Sequence, residues 1–186
     1  MTERAHIQIR KEEGNLYASH EDFHTIFNEG LKELYQLSFL LTRDSAKAER
    51  CLVVGLEDCV RGNRVFREWA RSWAKRTIVQ NAIRETNPRS IQSDSFPSRV
   101  RHSNIDQYSK DPGGHFEIDA VLRLADFDRF VFVMSVLEHY SEHECALLLG
   151  CPARDIREAR THALRELADS HCVEPSDNQL VAQGKK

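Results

Sequence analysis

With 186 residues, 40% hydrophobic and 30% charged, the chain has room for one ordinary domain or two small ones, and it carries too many apolar side chains to stay disordered. Its formal net charge of −3 excludes a globally basic nucleic-acid binder, so any such contact must come from local patches.

Residues 1–19 are polar without a clean period and read as a tail. From His20 onward Phe23, Ile26, Phe27, Leu31, Leu34, Leu37 and Leu41 recur at three- and four-residue steps, which predicts a helix. Asp44 and Ser45 are cap signals for a second helix reaching about Val60. Arg61-Gly62-Asn63 breaks it. A third helix is predicted from about Arg64 to Thr86, ending before Pro88. Residues 20–86 thus form a three-helix unit.

Residues 87–115 are rich in Ser, Asn, Asp, Pro and Gly and close on Asp111-Pro112-Gly113-Gly114, the composition of a linker. Helical period resumes near Phe116 with Ile118, Val121, Leu122 and Leu124. It continues from Asp126 through Phe130, Val131, Met134 and Leu137. The second unit spans 116–170, and 171–186 is a second polar tail. No stretch reads as strand. The predicted fold is all-α: two small helical domains on a flexible linker, the C-terminal one holding a helix-turn-helix.

That motif is Tyr140 to Ala168. Cys145, Ala146 and Leu149 would pack its first helix, Gly150 the turn, and Ile156 and Ala159 the second helix. Ala146 must be small where the helices cross, and Gly150 tolerates positive φ. Ser141 with Glu144 three residues on is a capping box, and Pro152 near the second helix start costs little. The arrangement predicts a DNA-reading element.

Two basic ridges follow from the same spacing. On the third helix Arg64, Arg67, Arg71 and Lys75 stand three, four and four apart, opposite an arc of Phe66, Trp69, Ala70, Trp73 and Thr77. They either hold successive phosphates or form a solvated face behind a tryptophan core. On the second helix of the turn motif Arg154, Arg157, Thr161 and Arg165 repeat that spacing. Its arginines suit guanine or phosphate, and its threonine suits a thymine methyl. Asp155 and Glu158 lie on the same helix, and Glu158 is four residues from both Arg154 and His162, where intrahelical pairing is ordinary. Arg160 falls near the Ala163 and Leu167 stripe, where it either snorkels past its packed stem or marks a partner surface.

Other chemistry finds little support. His139 and His143 lie near Cys145 and Cys151, but Ser141 caps a new helix between the histidines and no CxxC or HExxH frame exists, so no metal is expected. Trp69 and Trp73 fit core better than base stacking. No glycine-rich phosphate loop and no recognisable catalytic frame is present, so the chain is not read as an enzyme and no cofactor is expected. Five cysteines (51, 59, 145, 151 and 172), odd in number, read as reduced structural thiols, hence a cytoplasmic protein. The basic N-terminus lacks a signal-peptide core. The longest apolar run, Phe130 to Leu137, is too short to span a bilayer, so no membrane partner is expected.

Taken together, these parts resemble bacterial RNA polymerase sigma factors of the small extracytoplasmic-function type, over about residues 20–86 and 117–168. Val121 to Gly150 looks like the opening of that family's fourth conserved region, and Cys145-Ala146-Leu147-Leu148-Leu149-Gly150 is similar to its Ile-Ala-x-x-Leu-Gly helix apart from Cys145. Phe66-Arg67-Glu68-Trp69 and Ala74-Lys75-Arg76 look like the promoter-melting helix of the second region. The resemblance implies a transcription initiation factor whose first domain binds polymerase and reads the −10 element, and whose second reads the −35 element. It implies promoter DNA and core RNA polymerase as partners, with room for an inhibitory protein partner. Where the family usually carries Asp-Leu-Val-Gln-Glu, its polymerase-contacting run, this chain has Arg50-Cys51-Leu52-Val53-Val54. Polar positions have become apolar or basic. The segment from there to Phe66 is also shorter than usual. The alternative is therefore a divergent helix-turn-helix regulator or protein-interaction module that does not bind core polymerase.

Overall fold

The computed structural model describes residues 16–62, 64–89 and 115–171. Most of the predicted linker and both tails beyond these bounds lie outside the described residues. Within them the fold is all-α, the one exception being an isolated antiparallel bridge between Tyr17 and Phe66.

The N-terminal half holds α1 (His20–Glu29), α2 (Leu31–Thr42), α3 (Ser45–Arg61) and α4 (Ala70–Thr86). Ser19 caps α1 through a capping box with Asp22, whose backbone N–H donates to the serine hydroxyl at 3.1 Å. The apolar period from His20 to Leu41 reads as one helix, but the chain breaks at Gly30. The Gly30 N–H closes α1 on the Ile26 carbonyl, and its own carbonyl opens α2 by accepting from Leu34. Glycine is a poor residue for a helix interior, so the break falls there. Asp44 caps α3 as its sequence predicts, accepting from the Lys47 N–H at 2.9 Å. α3 and α4 pack closely at Gly55, where an added Cβ would sit 3.2 Å from Ile78 Cγ1.

The third helix starts later than its pattern suggests. Phe66 is extended, held by its bridge to Tyr17, and a single 3₁₀ turn (Arg67–Trp69) leads into α4. Arg64 therefore precedes the helix and Arg67 lies in the turn, so the four cations do not share one helical face. Phe66 and Trp69, predicted in the core, are exposed instead, Trp69 by 58%. Tyr17 stacks on Phe66 with centroids 4.9 Å apart, Trp69 meets Phe66 edge-on, and Arg64 lies over the Tyr17 ring. The backbone pairing pulls this cluster out of register with Ala70, Ala74 and Thr77, which are buried.

The C-terminal half holds α5 (His115–Arg123), α6 (Asp126–Phe132) with a π turn (Val133–Leu137) continuing it, α7 (Glu142–Leu149) and α8 (Ala153–His171). The two halves share one hydrophobic core, in which Leu34, Leu37 and Leu41 of α2 join Leu124, Phe130 and Met134. α2 packs against α5, α6 and the π turn.

Arg129 fixes that seam. Its side chain is 0% exposed. Its guanidinium donates to the carbonyls of Leu124 (3.0 Å) and Leu41 (3.2 Å) and to the Asp126 carboxylate (2.8 Å). The Leu41 carbonyl belongs to the last turn of α2, which lacks helical partners, so a cation there caps the helix and meets its dipole. Burial pulls the Arg129 pKa down, and Asp126 opposes that pull.

Candidate nucleic-acid interface

The helix-turn-helix forms where the spacing placed it. The Ser141 hydroxyl accepts from the Glu144 N–H at 3.2 Å, and the Glu144 carboxylate accepts from the Ser141 N–H at 2.9 Å. The Ser141 hydroxyl also donates to the Glu144 carboxylate at 2.7 Å, and this bond, then the one from the Ser141 N–H, holds the Glu144 carboxyl below its ordinary pKa. Gly150 adopts φ +66°, and an added Cβ would meet nothing within 4 Å, so conformation rather than space calls for glycine. Cys145, Ile156 and Ala163 are fully buried and Ala159 nearly so, while Ala146 and Leu149 are half-buried. Burial pushes the Cys145 thiol up to about 11, so it packs as a neutral hydrophobe.

The outer face of α8 presents the four predicted residues to solvent, but two of its cations are engaged. Arg154 Nε donates to Glu158 at 2.7 Å, one helical turn away. Arg157 reaches back to Glu142 in the first turn of α7 and clamps the two helices together. The Thr161 hydroxyl donates to the Arg157 carbonyl, and Arg165 is exposed. Arg160 is half-buried and close enough to Cys145 to favour its thiolate slightly.

His162 is itself exposed, but its Nδ1 lies 2.8 Å from the buried Asp128 of α6. Glu166 is 3.9 Å from the same nitrogen, and ligand atoms of the three lie within 4.8 Å of one another. The Asp128 carboxylate already holds the imidazole, which accounts for the trio as a tie between α6 and α8. Sequence spacing did not single it out, because Asp128 is distant in the chain.

The second predicted site is a row of ion pairs. Arg67 bonds Asp22 at 2.9 Å, Arg71 lies 3.9 Å from Glu29, and Lys75 sits 2.6 Å from Glu33 and 2.9 Å from Glu138. Asp22, Glu29 and Glu33 stand along α1 and α2 and match the cations one for one. The ridge faces this acidic row, which the pattern of α4 alone does not reveal. Asp22 is held below the ordinary carboxylate pKa by the Ser19 backbone hydrogen bond and then by Arg67, and Glu33 by the hydrogen bond from Lys75. For Lys75 burial lowers the pKa, but the bonds to Glu33 and Glu138 outweigh it and the net shift is upward. Beside Lys75 a cleft of about 470 Å³ opens between the halves, lined by Trp69, Trp73, Arg76, His139 and Tyr140 among others.

On α3, Val53 is 60% and Val54 40% exposed, whereas Cys51 and Leu52 are buried. Arg50 bonds Glu85 at 3.0 Å. No helix among the described residues is long and apolar enough to cross a membrane.

No family model and no curated protein matches the chain. Among solved structures, a chain of the "Co-crystal structure of the sigma factor RpoE in complex with the anti-sigma factor NepR from Bartonella quintana" aligns over 83% of this chain and 99% of its own, at 18% identity and a TM-score of 0.48.

Proposed function

We propose that the chain is a sigma-like transcription initiation factor that binds promoter DNA through α7 and α8 and directs RNA polymerase to it. The observation that carries this reading is the helix-turn-helix. A capped first helix, a left-handed glycine turn and a second helix leave Arg154, Arg157, Thr161 and Arg165 on the open side. An exposed face with this chemistry suits phosphates and base edges. Arg71 and Lys75 on α4, with Arg67 in the turn before it and Arg64 ahead of that, supply a second surface for DNA near the melted region. Two sites on one chain raise the effective concentration of the second contact. An inhibitory protein partner belongs to the same reading.

Selection of bound sequences from a random duplex pool tests the α8 surface. Enrichment of a common element, lost in Arg157→Ala and kept in Glu142→Gln, is the expected result. Glu142→Gln weakens the hold on Arg157 without removing the arginine, so it separates a base-reading role from a helix clamp. A pool without enrichment for either protein removes the DNA-reading role.

The second reading, a helix-turn-helix regulator or protein-interaction module that does not bind core polymerase, draws on Val53 and Val54. They are exposed where the resembled family carries polar contact residues. Co-purification of the full chain with core polymerase separates the two.

A further inference from the structure

The hydrogen bond between His162 and Asp128 ties α6 to α8 but leaves a charge unmatched. Asp128 is the third residue of α6, with a side chain only 5% exposed, and its one side-chain partner among the described residues is the His162 imidazole. The neighbouring Arg129 turns its guanidinium to Leu124, Leu41 and Asp126 instead. The N-terminal turn of α6 offsets part of the charge. Even so, buried carboxylates are as a rule paired with a cation or bound to a metal. Glu166 brings a second carboxylate to the same place. It stands one turn after His162 on the same face of α8, its Oε2 3.9 Å from the imidazole Nδ1. Two acids that converge on one imidazole repel each other unless a positive charge lies between them, and the imidazole supplies one only when protonated.

We propose that Asp128, His162 and Glu166 form a binding site for a divalent transition-metal ion, with Zn²⁺ the ion their donor set fits best. The three ligand atoms lie within 4.8 Å of one another. In a tetrahedral zinc site, bonds of about 2.0–2.2 Å put the donors roughly 3.3 Å apart. The separations of 2.8 Å and 3.9 Å bracket that value. Side-chain movements of about an ångström therefore admit the ion. One imidazole with two carboxylates suits zinc better than Ca²⁺ or Mg²⁺, which favour oxygen ligands alone. Binding also moves one hydrogen. With the Asp128 carboxylate accepting, Nδ1 carries the N–H of the 2.8 Å bond. Ligation needs the Nδ1 lone pair, so the neutral ring holds its hydrogen on Nε2 instead. His162 and Glu166 are 59% and 45% exposed, so the ion arrives from solvent, and Asp128 closes the site from behind. Three protein ligands leave a fourth position for water. Loading replaces one hydrogen bond between α6 and α8 by three metal bonds, and this holds whatever α8 binds on its outer face.

The test titrates Zn²⁺ into the chelator-stripped full chain by isothermal calorimetry, beside His162→Gln, Glu166→Gln and His143→Gln. The parent should take one equivalent. His162→Gln and Glu166→Gln should each weaken binding by at least the roughly tenfold that loss of a hydrogen-bond partner to a metal ligand costs. Glu166→Gln leaves the His162–Asp128 bond in place, so it removes a ligand and keeps the fold, as far-UV circular dichroism would verify. His143→Gln removes an exposed histidine outside the trio and should bind as the parent does. The Co²⁺-loaded parent should show no thiolate-to-cobalt charge-transfer band. A parent that binds no zinc would overturn the site. So would parental affinity in either trio variant, or a thiolate band, which would put the ion on the cysteines.

Discussion

Replacing Gly150 with alanine isolates the conformational demand of the turn. The residue sits at φ +66°, and an added Cβ would have no neighbour within 4 Å, so neither a clash nor a new contact complicates the outcome. The remaining cost is that of holding an L-residue in the left-handed region, about 1–2 kcal/mol. With a urea dependence of about 2 kcal/mol per molar, that lowers the unfolding midpoint by roughly 0.5–1 M. Asparagine tolerates this region better and should cost less than alanine, whereas valine should cost more because β-branching resists positive φ. Urea titration followed by far-UV circular dichroism gives the order. A series that instead follows side-chain volume, or alanine indistinguishable from glycine, would refute the conformational account of the turn.

Other consequences follow from the same geometry. Asp126→Ala leaves the buried Arg129 guanidinium without its carboxylate. Full burial of such a pair would make the loss about 3–5 kcal/mol, and the exposed side of Asp126 argues for the lower end or below in chemical denaturation. Ser141→Ala removes the cap of α7 and should cost about 1 kcal/mol by the same titration. Glu144 has a folded pKa below its unfolded value of 4.5, so the folded state binds fewer protons there. Its contribution to stability is present above that unfolded value and is lost as pH falls through the lower folded one. Glu144→Gln should flatten the acid limb of a stability–pH profile in that window. Cys145, buried with its thiol pushed up to about 11, should resist alkylation at neutral pH until the chain unfolds, as mass spectrometry with and without denaturant would read.

Local signals in this sequence carried local structure well. Ser141 with Glu144, Gly150, Asp44 and the stop before Pro88 each act through their nearest neighbours in the chain, and each stands where its chemistry placed it. The late start of α4 was not legible, because it depends on Phe66 pairing with Tyr17, far upstream in a segment that reads as tail. The same long-range contact brought Trp69 to the surface. Periodicity identified the basic side of α4 but could not say what faces it. Asp22, Glu29 and Glu33 look like ordinary solvent-facing acids until α1 and α2 are folded against α4. Arg129 carried little signal: within an apolar run its charge reads as an exception, and it is the carbonyls of Leu124 and Leu41 together with the Asp126 carboxylate that explain it.

The central claim is that α7 and α8 bring the chain to promoter DNA together with polymerase. Reconstitution with core RNA polymerase on a genomic DNA template, with transcript starts mapped, tests it most directly. The account predicts starts that require the protein, share an upstream element and vanish when Arg154, Arg157 and Arg165 are all replaced by alanine. Starts that are the same with and without the protein, from a core enzyme that does not retain it, would contradict the account.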